Sequence, residues 1–192
     1  RTLKVLIVAP NWIGDAVMSL SLIQALHQDN TLRSADGRPC EIHVLAPPVT
    51  APVYQFSHAV RAVQVEPFSH GKLQWGLRRQ VGASLAGRGF DMAVVLPNSL
   101  KSAFIPFFAR IPLRTGWRGE YRYGLLNDVR VLDKKRYPLM VQRYAALALP
   151  KGAEPLQTFP FPSLQVNQHQ RPQLLTKFAL QLDRPLLIIC PG

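Results

Sequence analysis

Residues 3–26, LKVLIVAPNWIGDAVMSLSLIQAL, constrain the fold more than any other stretch of the chain. Leu3 and the run from Val5 to Ala9 are apolar and rich in branched side chains. That is the pattern of a strand covered on both faces, as in a parallel sheet. Pro10 has no N–H to give to a ladder, and Gly14 is expected to let the backbone turn, with Asn11 and Trp12 shaping the same loop. A helix follows, with Ala16, Val17, Leu20, Ile23 and Leu26 spaced for one apolar face. Asp15 stands where the loop becomes the helix, at the carboxyl end of a strand, where open α/β sheets bind ligands. It has two readings that can coexist. One is a helix N-cap, its carboxylate meeting backbone N–H groups and the positive end of the dipole. The other is a general base at the mouth of a cleft. The loop APNWIGD holds a single glycine, so it lacks the G-x-G-x-x-G fingerprint, which disfavours a nicotinamide-dependent oxidoreductase.

The strand–helix alternation continues. Strands are expected at residues 41–46, 60–65, 91–96 and 113–117. Helices are expected at 49–58, in a basic stretch ending near Gly87, at 99–108 (kinked or shortened by Pro106), at 137–149 and at 174–182. This order implies an α/β fold, a Rossmann-like parallel sheet with helices on both faces. Residues after 149 turn proline- and glutamine-rich, the texture of a linker, before PLLIIC at 185–190 gives one more buried-strand pattern. A last strand with nothing to pair against leads to the expectation that the chain is truncated before a second domain.

The chain has 192 residues, of which 47% are hydrophobic and 18% charged, enough for a domain with a real core. Its net charge of +12 points to an anionic partner: nucleic acid, a membrane surface or a phosphorylated substrate. The excess is concentrated. Residues 97–143 hold ten Lys and Arg against Glu120, Asp128 and Asp133, and so supply +7 of it. These charges are interleaved with Trp117, Tyr121, Tyr123 and glycines instead of being laid out at helical spacing. A solvated basic face and an RNA-binding surface both fit that description, as does a grip on anionic sugars. Two cysteines, Cys40 and Cys190, and five histidines without H-x-x-x-H spacing suggest neither a disulfide framework nor a metal site. No run approaches the ~18 apolar residues of a membrane span. The cysteine usage suits a reducing cytosol, so a cytoplasmic protein with at most peripheral membrane contact is expected.

Three segments together resemble the ADP-heptose:lipopolysaccharide heptosyltransferases of glycosyltransferase family 9. They are VLIVAPNWIGDAVMSLSLIQAL, VLPNSLKSAFIPFFARIPLRTGWRGEYRYGLLNDVRVLDK and PLMVQRYAALA. The resemblance implies a GT-B fold, two Rossmann-like domains facing across a cleft. Residues 1–165 would be the N-terminal acceptor-binding domain, and 166–192 a linker and the first strand of a truncated nucleotide-sugar-binding domain. The implied reaction is inverting transfer of heptose from ADP-heptose to the first heptose of the lipopolysaccharide inner core. Asp15 would be the catalytic base, and no cofactor or metal would be needed. Asn98, Ser99, Lys101 and Ser102 would line the acceptor side of the cleft, with Arg118, Glu120, Arg122 and Tyr123 gripping Kdo or heptose. The partners implied are a nucleotide-sugar donor and an anionic Kdo/heptose-lipid A acceptor at the inner membrane's cytoplasmic face, with no nucleic acid. Without a donor domain, the 192-residue chain alone is expected to be inactive. A basic nucleic-acid-binding domain is the competing reading.

Overall fold

A computed structural model describes residues 2–29, 32, 37–68, 72–166, 168–183, 185 and 187–189. Its strands are β1 (Leu3–Val8), β2 (Cys40–Ala46), β3 (Val60–Val65), β4 (Met92–Val95), β5 (Leu113–Trp117) and β6 (Asp128–Arg130). All pair in parallel in one sheet of order β3-β2-β1-β4-β5-β6. The helices are α1 (Ile13–Gln28), α2 (Ala51–Gln55), α3 (Trp75–Ala86), α4 (Phe104–Phe108), α5 (Met140–Ala145) and α6 (Arg171–Lys177). Short 3₁₀ turns at Leu100–Ala103 and Ala146–Ala148 lead into α4 and extend α5.

Successive strand residues face opposite sides of the sheet, and the core divides accordingly. Val5, Ile7, Ile42, Val44, Met92 and Val94 meet Leu20 and Ile23 of α1, Tyr54 of α2 and Leu147. Leu6, Leu45 and Ala93 turn the other way, onto Val81 and Leu85 of α3 and Ile105 of α4. Each fully buried Leu or Ile contributes about 1.5–3 kcal/mol of transfer free energy. The central strands, apolar on both faces, therefore hold the two helical layers together. This is the Rossmann-like α/β sheet that the strand–helix alternation predicts.

Several elements differ from that reading. Helix α1 is not one-faced: Ser19 and Ser21 are buried along with Leu20, Leu22, Ile23 and Leu26, because α5 covers the side away from the sheet. The buried hydroxyls are satisfied, Ser19 donating to the Ala16 carbonyl at 2.7 Å and Ser21 lying 2.8 Å from the Val141 carbonyl on α5. The expected helix at 99–108 is a 3₁₀ turn followed by five α-helical residues. The one at 137–149 begins only after Pro138, where the Leu139 N–H meets Gln142 Oε1 at 3.0 Å. Helix α6 starts earlier than expected, with Pro172 in its first turn. Strand β6 was not expected at all. Pro185 and Leu187–Ile189 show no strand pairing and are exposed, against the buried strand expected there; 184, 186 and 190 lie outside the described residues.

Candidate active site

The strand order reverses between β1 and β4, so the loops leaving these two strands border the crevice where ligands bind in such sheets. The β1 loop is fixed from below: the Ala9 N–H donates to the Leu45 carbonyl at 2.9 Å, and Thr50 Oγ1 to the Pro10 carbonyl at 3.1 Å. Helix α1 then opens at Ile13, with Trp12 as the N-cap residue. Asp15 is thus the third helical residue and not the cap. It lies in the first turn, where the helix dipole favours a negative charge. Gly14 is also inside the helix, its φ is not positive, and a Cβ there would meet nothing within 4 Å. The turn does not require this glycine, which corrects the expectation that Gly14 shapes the loop. Asn11, Trp12 and Ile13 are exposed along the rim.

Two buried phenols flank Asp15. Tyr144 of α5 is pushed well above its ordinary value by burial first, then by the Asp15 charge and by Tyr54. Tyr54 is pushed up by burial and, less, by Asp15, against a hydrogen bond with Ser19 at 2.8 Å.

On the α3–α4 side of the crevice, Asn11, Ser99, Lys101 and Ser102 line one cleft. Four of the expected residues therefore meet. Two more line it that the sequence reading missed, Glu66 at the end of β3 and Arg78 of α3. Burial pushes the Glu66 carboxyl up to about 7, even with Arg78 and Lys101 holding it lower. Arg78 is itself buried, donating to the Leu73 carbonyl at 2.6 Å and the Lys101 carbonyl at 3.2 Å. The Ser102 hydroxyl donates to the Ser99 carbonyl at 2.6 Å, so it also shapes the β4 loop.

On the α1–α5 side, Asn98 and Arg118 line a second cleft with Lys134, Arg143 and Tyr144. The arginine side chains here have different fates. Among the described residues, those of Arg118 and Lys134 have no hydrogen-bond or ion-pair partner. Arg143 donates to the Tyr137 and Pro138 carbonyls at 2.9 and 3.0 Å. Arg122, expected to grip the acceptor, is only 1% exposed. Its guanidinium donates to the carbonyls of Pro97 at 2.5 Å and Trp117 at 2.7 Å, and burial lowers it to about 10 against the opposing pull of Glu120. It ties the β4 loop to the β5 loop, and this positioning role replaces the predicted contact with ligand. Glu120 does related work, its carboxylate accepting the Leu100 N–H at 2.6 Å while its own N–H meets the Asn98 carbonyl at 3.0 Å. Gly119 is required here, since a Cβ would run into the Asn98 backbone. Tyr123 is exposed, bridges to Leu126 and lines neither cleft.

No group of three or more His, Cys, Asp and Glu that could hold a metal ion occurs among the described residues. No described helix is long and apolar enough to cross a membrane.

A half-buried carboxylate in the first turn after β1, which itself lines neither cleft, and two clefts edged by cations at the strand ends define a Rossmann-like domain with a candidate ligand site at its switch point. The chain belongs to glycosyltransferase family 9 (heptosyltransferase), whose family model matches residues 78–192. It is 46% identical over 195 residues to lipopolysaccharide heptosyltransferase 2 of Escherichia coli (strain K12), covering 99% of this chain and 54% of that protein. It is 45% identical over 197 residues to lipooligosaccharide heptosyltransferase 2 of Haemophilus influenzae, with the same coverage. The solved structure of E. coli ADP-heptose lps heptosyltransferase II superposes with a TM-score of 0.82 at 41% identity, covering 95% of this chain and 53% of that one. The chain spans about half the length of the curated relatives it matches. None of these relatives supports the nucleic-acid reading.

Proposed function

We propose that the chain is the acceptor-binding half of an inverting heptosyltransferase that moves heptose from ADP-heptose onto the first heptose of the lipopolysaccharide inner core. Asp15 is the base. It accepts the proton of the acceptor hydroxyl as that oxygen attacks the anomeric carbon and ADP departs with its electron pair. The observation that carries this reading is the place of Asp15: first turn of α1, at the carboxyl edge of the sheet, with the buried Tyr144 and Tyr54 phenols near enough to feel its charge. A side-chain carboxylate at that edge is the group that can take the proton.

Arg118 and Lys134, without a side-chain partner among the described residues, are the groups for Kdo carboxylates or core phosphates, with Asn98 beside them. Ser99 and Lys101 edge the second cleft with Asn11. The reading includes no metal or cofactor: the diphosphate leaving group is met by basic side chains and a helix N-terminus of a donor domain. It places the work in the cytoplasm, on an acceptor held at the inner membrane. Heptose transfer by an enzyme of the relatives' full length, to acceptors with and without the first heptose, tests it. Transfer only to the mono-heptosyl acceptor is expected. Transfer only to the heptose-free acceptor would assign the chain to a different step, and transfer to neither would refute it.

A further inference from the structure

The face formed by α3 and α4 has a composition that the transfer reading does not use. Residues 67–90 and 100–119 contain no Asp or Glu and, besides the cleft-lining Arg78, Lys101 and Arg118, carry Lys72, Arg79, Arg88, Arg110 and Arg114. The two helices pack closely, Gly82 of α3 leaving room for the Phe108 Cβ that any larger residue would strike. Their outer surface holds a groove lined by Trp75, Arg79, Phe107, Phe108, Arg110 and Arg114. Trp75 is 48% exposed and Phe107 42%, with Leu73 beside them at 50%. Arg79 and Arg110 are exposed and, among the described residues, have no side-chain partner.

Arg110 is the informative residue. The end of α4 is a Schellman turn: the Arg110 N–H meets the Phe107 carbonyl at 3.0 Å and the Ile111 N–H the Pro106 carbonyl at 3.1 Å. Arg110 occupies the left-handed position of that turn, with φ of 54°, where glycine is the unstrained choice. A long cation held there at a conformational cost, at the lip of an aromatic groove, indicates use of its charge.

We propose that the α3–α4 face is a docking surface for a bilayer bearing anionic phospholipid headgroups. Unpaired arginines meet the headgroup phosphates, and Trp75, Phe107 and Leu73 enter the interfacial layer. The ring geometry favours a bilayer over single-stranded nucleic acid. Trp75 meets Phe104 and Phe108 edge-on, at 70° and 86°, and Arg114 lies over the Phe107 ring at 5.7 Å, so the rings are engaged with one another and with a guanidinium and do not form an open stacking platform. The face adjoins the cleft containing Arg78 and Lys101, so docking would hold that cleft against the membrane.

This deepens the transfer reading by naming the surface that meets the membrane, but it stands on the α3–α4 face alone, and its test needs no catalysis. The purified chain is sedimented with vesicles of phosphatidylcholine alone and with phosphatidylglycerol added, alongside Arg79→Gln, Arg110→Gly and the double variant. Binding only to the anionic vesicles is expected, weakened about 5-fold by each substitution. Because Arg110→Gly relieves the left-handed strain, its thermal midpoint should not fall, so weaker binding cannot be blamed on misfolding. Equal binding to neutral vesicles, or unchanged binding by the double variant, would overturn the proposal. So would binding of a single-stranded oligonucleotide, lost in the same variants, with no vesicle binding.

Discussion

The buried Tyr144 phenol on α5 lies near enough to the Asp15 carboxylate on α1 to feel its charge, and burial first, then that charge, pushes the phenol well above its ordinary range. The two residues stand on the two helices that pack together over one face of the sheet, and Tyr144 also lines the cleft with Asn98 and Arg118. Tyr144→Phe keeps the ring and its packing but removes the donor. On the transfer reading this hydroxyl closes onto the base in the reacting complex, and a hydrogen bond to a charged group is worth about 1.5–3 kcal/mol, so kcat in the heptose-transfer assay should fall about 10- to 100-fold. KM for the acceptor should change little. An unchanged kcat would reduce Tyr144 to a packing residue.

Arg122 and Arg118 stand four residues apart and should respond oppositely to substitution. Arg122→Met leaves the Pro97 and Trp117 carbonyls without their donor in a buried setting, at a cost of about 3 kcal/mol in urea unfolding. Arg118→Gln touches an exposed side chain and should alter stability by less than about 0.5 kcal/mol while raising the acceptor KM. Equal stability losses in the two variants would contradict this division of roles.

The difference between these two arginines marks the limit of what the sequence reveals. Both sit among aromatics and glycines in one basic segment, and nothing in the local pattern says which turns inward. Burial of Arg122 depends on Gly116, where a Cβ would lie 3.3 Å from Nη2, and on the β4 loop 25 residues earlier in the chain. Strands β1, β2 and β4 were legible because uninterrupted or alternating apolar runs are local signals. Strand β6 was not. Its three residues, Asp128-Val129-Arg130, place charges at both ends, and only the structure shows those charges paired at 2.7 Å and buried, with Thr115 bonding the same carboxylate. Asp15 stands out in the sequence by its position at a strand end, but the Tyr144 phenol that feels its charge lies 129 positions away and leaves no trace in the spacing.

Glu66 gives a pH signature. Folded, its carboxyl titrates near about 7 against 4.5 in an ordinary setting, because burial outweighs the opposing charges of Arg78 and Lys101. The folded state therefore holds a proton that the unfolded chain releases between those values. The stabilisation is full below about 4.5, declines as pH rises, and is gone above about 7. Glu66→Gln removes the titration. At pH 8.5 the variant should be more stable than the parent by on the order of 2 kcal/mol, with the two nearly equal at pH 4.5. Parallel stability curves across that range would show that the carboxyl is better solvated than its place in the cleft implies.

The central claim is that Asp15 removes the acceptor proton, and the most direct test is Asp15→Asn in an enzyme of the relatives' full length. The amide keeps the size and some of the polar contacts of the carboxylate but cannot serve as the base. The account predicts that transfer from ADP-heptose to a mono-heptosyl Kdo acceptor falls by about 10²-fold or more, with the thermal midpoint and ADP-heptose binding preserved. Transfer at the parental rate by the Asn variant would contradict it, and would leave Asp15 as a first-turn carboxylate that stabilises α1 and nothing more.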